Sequence, residues 1–393
     1  MLKNLINAIQ IDYNSVKFIT AQEIEIANKG PIIQVLGMTE KRGQWNIGTN
    51  LDKDLLASYI KSSHLENERI AGQKITNTLV SVNSGITSRY ITHDLILNNI
   101  VINEEHIKSF YESKDFIQLY ENEDIPIHTL PISYKIDEKK VVSDPIGYKA
   151  QMLTVKWHVI SISKIQLKDI NDLLKSCDLH MKQCVLASYA SSLAAINEME
   201  SSLGVICLNI NYYKTEVTIT IDDQLVFFDT TEIGLKYINS DLQSILSISE
   251  EDSNELRMKW SNDTNTKNLQ ESESRIKQII YSRLEEIIEL ALKKLKTSKY
   301  FDLASSHIVI TGEGAKHSDI IDITTNIFQT KNIRIGSPQK IHGLKSIIEN
   351  PSNSTCIGML NYALSTEFQF NAKDKSNKKD SIISMLYNFF KAI

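Results

Sequence analysis

The sequence predicts an α/β protein of two related lobes, with a β-rich segment between their strand sets. Three observations carry this expectation. The opening reads strand, strand, strand, helix: a hairpin over Ile6 to Ile24, a third strand over Pro31 to Met38, and a helical stripe over Leu51 to Lys61. Near mid-chain, Ser202 to Thr220 and Gln224 to Thr230 again give three strands. Here Val217, Ile219 and Ile221 alternate with Thr218, Thr220 and Asp222, the period-two pattern of a half-buried strand. Between them, residues 78–162 hold several strands and one helix, enough for a subdomain of their own.

The elements follow in order. The first hairpin turns at Tyr13-Asn14-Ser15, and Lys41 to Asn50, with Gly43 and Gly48, reads as a loop. The inserted block begins with Thr78 to Val82. It continues with Ser88 to Leu97, a helix-like Glu104 to Ser113, Pro126 to Ile136, and Gln151 to Ile162, in which Leu153, Val155, Trp157 and Val159 share a face. Ser163 to Leu179 and Leu186 to Met199 read as helices, the second dense in Ala and Ser and so able to lie close against a sheet. Beyond the mid-chain strands, Thr231 to Leu246 and Glu250 to Trp260 are helical and Asn262 to Glu273 is polar loop. Ser274 to Ser298 is the longest helix, with Ile276, Ile280, Leu284, Ile287, Ala291 and Leu295 at helical spacing. A buried strand at Ser306 to Gly314, a helix at Asp319 to Phe328, a short strand at Ile333 to Ile335 and a helix at Ser354 to Leu364 close the globular part.

Composition excludes several function classes. The chain has 393 residues, 42% of them hydrophobic and 23% charged, and a net charge of -5 that gives no global reason to bind nucleic acid. Cys177, Cys184, Cys207 and Cys356 lack paired spacing and read as buried free thiols. The start carries no signal-peptide pattern, and no run is long and apolar enough to span a membrane. No HxxxH, HExxH, GxSxG or Walker pattern occurs, so no catalytic or metal-ligating residue is assigned.

Several short motifs then line up in order. They are Asp12-Tyr-Asn-Ser-Val-Lys17, Glu40-Lys-Arg-Gly-Gln44, Asn209 to Thr215, Ile279 to Glu286, Thr311-Gly-Glu-Gly-Ala315, Arg334-Ile-Gly-Ser-Pro338 and Ile341-His-Gly-Leu344. In this order they resemble the actin-like ATPases and, within them, the FtsA family of bacterial cell-division proteins. The resemblance covers nearly the whole chain. It implies a two-lobed actin-like fold (a ribonuclease H-like duplication) with an inserted 1C-type subdomain and a C-terminal amphipathic helix. It places subdomain 1A at 1–77 and 163–199, 1C at 78–162, 2A at 200–230 and 299–364, 2B at 231–298, a flexible linker at 365–380 and a membrane-targeting helix at 381–393.

The resemblance also implies a nucleotide site. Asp12, Asn14, Ser15 and Lys17 fall on the first phosphate loop, Asn209 and Lys214 on the second, Asn254 and Arg257 on the helix that contacts ribose and base, and Gly312 and Gly314 on the adenosine loop. The loops are degenerate. Asn14 stands in place of Gly, Asn209 in place of the Asp that organises the metal, and Tyr212 and Tyr213 in place of a glycine run. Bulky tyrosines adopt positive φ only at a cost, so the second turn is expected to have another shape. Lys214 replaces Thr and could stand in for a cation or bind phosphate directly. ATP and magnesium are therefore expected to bind weakly or not at all, with ATPase activity weak or absent.

The last thirteen residues carry a separate expectation. On a helical wheel Ser381, Ser384, Asn388 and Lys391 cluster within about 80°. Ile382, Ile383, Leu386, Tyr387, Phe389, Phe390 and Ile393 occupy the remainder, a pattern that lies in a bilayer interface, with Lys391 flanking it. Lys373, Lys375, Lys378 and Lys379 would favour anionic lipid. A terminal helix docked on the protein's own core shows the same stripe, but it rarely needs so polar a tether.

The resemblance adds the partners. It implies a peripheral protein on the cytoplasmic face of the inner membrane at the division site, self-association into filaments, contact with other division proteins, and binding of the C-terminal peptide of FtsZ on subdomain 2B. Arg283 matches the family's Arg and could pair with a peptide carboxylate; its spacing equally allows an ordinary i,i+3 pair with Glu286. Two alternatives stay open: a PilM-type actin-like scaffold of another membrane machinery, and a nucleotide-hydrolysing enzyme of the same fold.

Overall fold

Two sheets with the same strand order organise the chain. The computed structural model describes residues 5–26, 30–43, 45, 52–114, 116, 118, 124–261, 271–338 and 341–364. The linker and tail, 365–393, lie outside them, as does most of the 262–273 loop. The chain divides at Ala187/Ser188 and again at Gly358/Met359 into two units.

In the first unit β1 (Leu5–Ile11), β2 (Ser15–Ile26) and β3 (Gly30–Arg42) form an antiparallel meander. The helix Lys53–Ala71 follows and packs on β2 and β3. Asp52 caps it, accepting from the Leu55 amide at 2.9 Å. The chain returns through β4 (Asn77–Val82), which runs parallel to β1. The inserted sheet comprises β5 (Ile86–Val101), β6 (Asp124–Ile136), β7 (Lys140–Val142) and β8 (Lys149–Ser163), in the order β5-β8-β6-β7. Its core is the face foreseen on β8, with Trp157 stacked on Phe110 at 4.4 Å between centroids. The helix Lys164–Lys175 leads to β9 (His180–Leu186), parallel to β4, so the order is β3-β2-β1-β4-β9.

The second unit repeats the plan. β10 (Val205–Ile210), β11 (Thr215–Ile221) and β12 (Gln224–Thr231) form the meander. The helices Lys236–Leu246, Glu250–Ser261 and Glu271–Leu295 follow. β13 (Ile308–Thr311) returns parallel to β10 and β14 (Ile333–Ile335) parallel to β13, giving β12-β11-β10-β13-β14.

Four local readings are corrected. Thr78 to Val82 does not open the insert: β4 pairs with β1 and β9 in the first sheet. Ser163 to Leu179 is not helical throughout, because the helix ends at Lys175 and β9 follows. A bulge opposite Thr78/Leu79 breaks the period-two alternation of β9 and hides it in the sequence. The helix Leu186 to Met199 is two helices, Ala187–Ala195 and Glu198–Leu203, because Asn197 and Glu200 form a reciprocal capping box. β11 is buried on both faces rather than one; Thr218 and Thr220 lie under cover, and the helices Glu198–Leu203, Glu271–Leu295 and Phe301–Ala304 all pack on this strand. The segment Arg334 to Pro338 has a packing role: Arg334 donates to both Glu200 oxygens and to the Ala195 carbonyl.

Candidate functional site

Each unit presents the turn of its first hairpin as a candidate site. In the first unit the turn runs from Asp12 to Ser15, closed by the Asp12 amide donating to the Ser15 carbonyl at 2.8 Å. The Asp12 carboxylate accepts from Gln10 Nε2 at 2.6 Å. Its backbone carbonyl accepts from the indole Nε1 of Trp45 at 3.0 Å, and the Asn14 carbonyl accepts from the Gly43 amide at 3.0 Å. Ser15 and Lys17 are buried, Lys17 opposite Gln10 in the ladder. Asn14 does not take positive φ, so this turn has no need of the missing glycine.

Close by, a cavity of about 490 Å³ is lined by Ile11, Tyr13, Leu56, Val80, Gln166 and Leu173, among others. No local pattern marks it, because its walls come from four separated segments.

The second turn, Asn209 to Thr215, differs in kind. None of its residues takes positive φ, as expected from its tyrosines. The Asn211 amide donates to the Lys214 carbonyl at 2.9 Å. The amides of Leu235 and Lys236 donate to the carbonyls of Asn211 (3.1 Å) and Tyr212 (2.7 Å), clamping the turn from the side. Gly234 permits this approach: a Cβ there would sit 2.7 Å from the Tyr212 carbonyl oxygen and 2.8 Å from the Lys214 nitrogen. The buried amide of Asn209 donates to Glu216 at 2.7 Å, while Asn209 Oδ1 has no partner. Glu216 is a buried carboxylate that sequence reasoning missed; the alternation of β11 had marked it only as a strand position. The Lys214 ammonium pairs with Glu232 at 2.9 Å.

The residues assigned to ribose and base are brought together, and they bind one another. Arg257, 3% exposed, donates from Nε to Asn239 Oδ1 (2.9 Å) and from a terminal nitrogen to Glu313 (2.9 Å), with its guanidinium 5.6 Å from the Tyr212 ring centroid. Asn239 Nδ2 donates to Asn254 Oδ1 (2.6 Å) and to the Tyr212 hydroxyl (3.0 Å). Burial raises the Tyr212 pKa against the opposing bond from Asn239. Gly312, at φ +83, would place a Cβ 2.5 Å from the Ile210 carbonyl oxygen, and a Cβ on Gly314 would meet the Ile210 side chain. Both glycines thus have a packing reason to be where they are. His317 is buried beside this group with neither ring nitrogen bonded; burial, then Arg257 and Lys277, lowers its pKa to about 4.

This donor set does not fit magnesium nucleotide. The second turn presents an amide where a metal-organising carboxylate is needed, and Asn254 Oδ1 and two of the Arg257 nitrogens are already bonded within the protein. Among the described residues no cluster of three or more His, Cys, Asp or Glu could hold a metal ion.

Arg283 lies elsewhere in the second unit, on the helix Glu271–Leu295. The i,i+3 pair with Glu286 is formed. Asp241 adds a bidentate grip at 2.6 and 2.8 Å, and the guanidinium sits 5.7 Å from the Tyr237 ring centroid. These hydrogen bonds to Asp241 raise its pKa further. The tail residues Ile382, Ile383, Leu386, Phe389, Phe390, Lys391 and Ile393 lie outside the described residues. No helix among the described residues is long and apolar enough to cross a membrane.

Comparison with known proteins bears out the resemblance. Residues 84–161 match the SHS2 domain inserted in FtsA. The cell division protein FtsA of Buchnera aphidicola is 26% identical over 86% of this chain and 86% of its own length. That of Borreliella burgdorferi is 22% identical over 99% of both. A type IV pilus PilM-PilN complex superposes at TM-score 0.65 and 13% identity, covering 92% of this chain and 98% of the other. MreB5 of Spiroplasma citri bound to ADP superposes at 0.56 and 10% identity, covering 96% and 100%. The fold is actin-like, and the similarity to FtsA over most of the chain supports an actin-like role in cell division.

Proposed function

Taking similarity to FtsA through most of the chain as the premise, we propose that the protein tethers FtsZ polymers to the cytoplasmic face of the inner membrane and acts as an actin-like scaffold of the division ring. The observation that carries this reading is that similarity, together with the SHS2 match at 84–161. Attachment is assigned to residues 381–393, with the lysines before them drawing the tail to anionic lipid. One short helix binds weakly. Self-association into filaments presents many such tails at once and multiplies the effect. Other division proteins assemble on the same scaffold.

The FtsZ C-terminal peptide is assigned to the face around Arg283. A peptide carboxylate there competes with Glu286, the more exposed of the two partners, while Asp241 keeps the guanidinium oriented. In this reading ATP and magnesium bind weakly or not at all, and ATPase activity is weak or absent.

Titration of the full chain with a labelled FtsZ C-terminal peptide tests the reading. Binding is expected, and Arg283→Glu should weaken it at least about tenfold, with a melting curve run alongside to verify folding. A wild-type chain that does not bind the peptide refutes the assignment and favours a scaffold of another machinery.

A further inference from the structure

In the second unit, Tyr212 comes from the β10–β11 turn, Asn239 and Asn254 from two successive helices, Arg257 from the second of these, and Glu313 from the loop after β13. Four segments far apart in sequence meet in one connected group. Asn239 is its centre: its amide nitrogen serves Tyr212 and Asn254, and its amide oxygen receives Arg257. Arg257 extends the chain to Glu313. Every one of these bonds involves a buried side chain, Asn239 or Arg257.

We propose that Tyr212, Asn239, Asn254, Arg257 and Glu313 form an internal latch that takes the place of nucleotide in holding this unit together. The proposal rests on the assignment of Asn254 and Arg257 to ribose and base contact by the resemblance; it is independent of the FtsZ tether. A ribose hydroxyl or a base edge reaching these residues would find Asn254 Oδ1 and two of the Arg257 nitrogens engaged. To bind, it must strip buried groups of their partners, and each loss lowers affinity by about tenfold or more. The tyrosine ring adds a steric and cation–π element that a glycine turn cannot supply.

The latch also explains the retention of the surrounding motif. Gly312 and Gly314 stay because Ile210 lies against them. Arg257 stays because it spans Asn239 and Glu313. A site that has lost its ligand loses such residues unless they take up other work; here that work is mutual.

The test is thermal melting and amide hydrogen exchange on the full chain, with and without millimolar ATP or ADP, each with and without magnesium. The wild-type melting temperature is expected to be unchanged by any nucleotide. Tyr212→Phe, which keeps the ring and drops the hydroxyl, should speed exchange in residues 236–260, and Asn239→Leu should do so more strongly. A nucleotide-dependent rise of more than about 2 °C in the wild type overturns the proposal. So does unchanged exchange in both variants. The nucleotide result does not bear on peptide binding around Arg283, so the two readings fail separately.

Discussion

The two hairpin turns are equivalent in topology and differ in what their side chains add. Each is clamped from the segment beyond its third strand: the Asp12–Ser15 turn by Trp45 and Gly43, the Asn209–Thr215 turn by the amides of Leu235 and Lys236. In the first turn the side-chain contact is local, Gln10 donating to Asp12 from the same strand. In the second, Tyr212 joins a group centred on Asn239, from a helix beyond the meander. A duplicated architecture has thus kept its β-meanders and placed their side-chain anchoring differently. The lesson is that fold and site chemistry diverge on separate schedules: the strand order 3-2-1-4-5 survives in both units, while the residues at the turn tips are replaced.

Glycine substitutions should separate the turns most strongly. Gly234→Ala forces a methyl group into backbone atoms of the second turn. It should cost more than about 4 kcal/mol and unfold that unit. Gly43→Ala meets ring carbons of Tyr59 at 2.9 Å and of Trp45 at 3.0 Å, which can shift, and should cost about 1–3 kcal/mol. Urea unfolding checks this, with Trp260 reporting the second unit and Trp45 and Trp157 the first. Equal costs would break the comparison.

The next effect is pH dependence confined to the second unit. His317 has a folded-state pKa of about 4, below its ordinary 6.5. The unfolded chain takes up the proton first, so the contribution is complete above pH 6.5 and is lost as pH falls toward 4. The loss amounts to about 3 kcal/mol at the low end. Stability of His317→Gln measured across that window should be flatter by this amount; an identical slope would show that the imidazole is not held neutral.

Smaller effects sharpen the contrast. Trp45→Phe removes the bond to the Asp12 carbonyl and some buried volume, and should cost about 2 kcal/mol by urea midpoint. Glu232→Gln breaks the pair with Lys214, but Glu232 is 73% exposed, so its loss should stay within about 0.5 kcal/mol. A larger loss on the same urea curve would mean that Lys214 depends on this partner for its burial.

The sequence revealed what short-range patterns encode. Alternation located the meanders, and the apolar face of β8 located the insert core, because each reports burial through adjacent residues. β9 is hidden because a bulge interrupts its period, and the break at Asn197 is encoded by the capping pair Asn197 and Glu200 at the end of an Ala-rich stretch. At the site, the motif positions were legible and their partners were not. Nothing local links Arg283 to Asp241, 42 residues away, or Tyr212 to Asn239 and Arg257. Such pairs are consequences of the tertiary fold.

The proposed tether, which attaches division polymers to a membrane without a need for ATP, is tested most directly by co-sedimentation of FtsZ polymers with anionic liposomes, in the presence of the full chain and with no ATP added. FtsZ is expected to pellet with the vesicles only when the chain is present. FtsZ left in the supernatant, or brought down only when magnesium ATP is supplied, would contradict it.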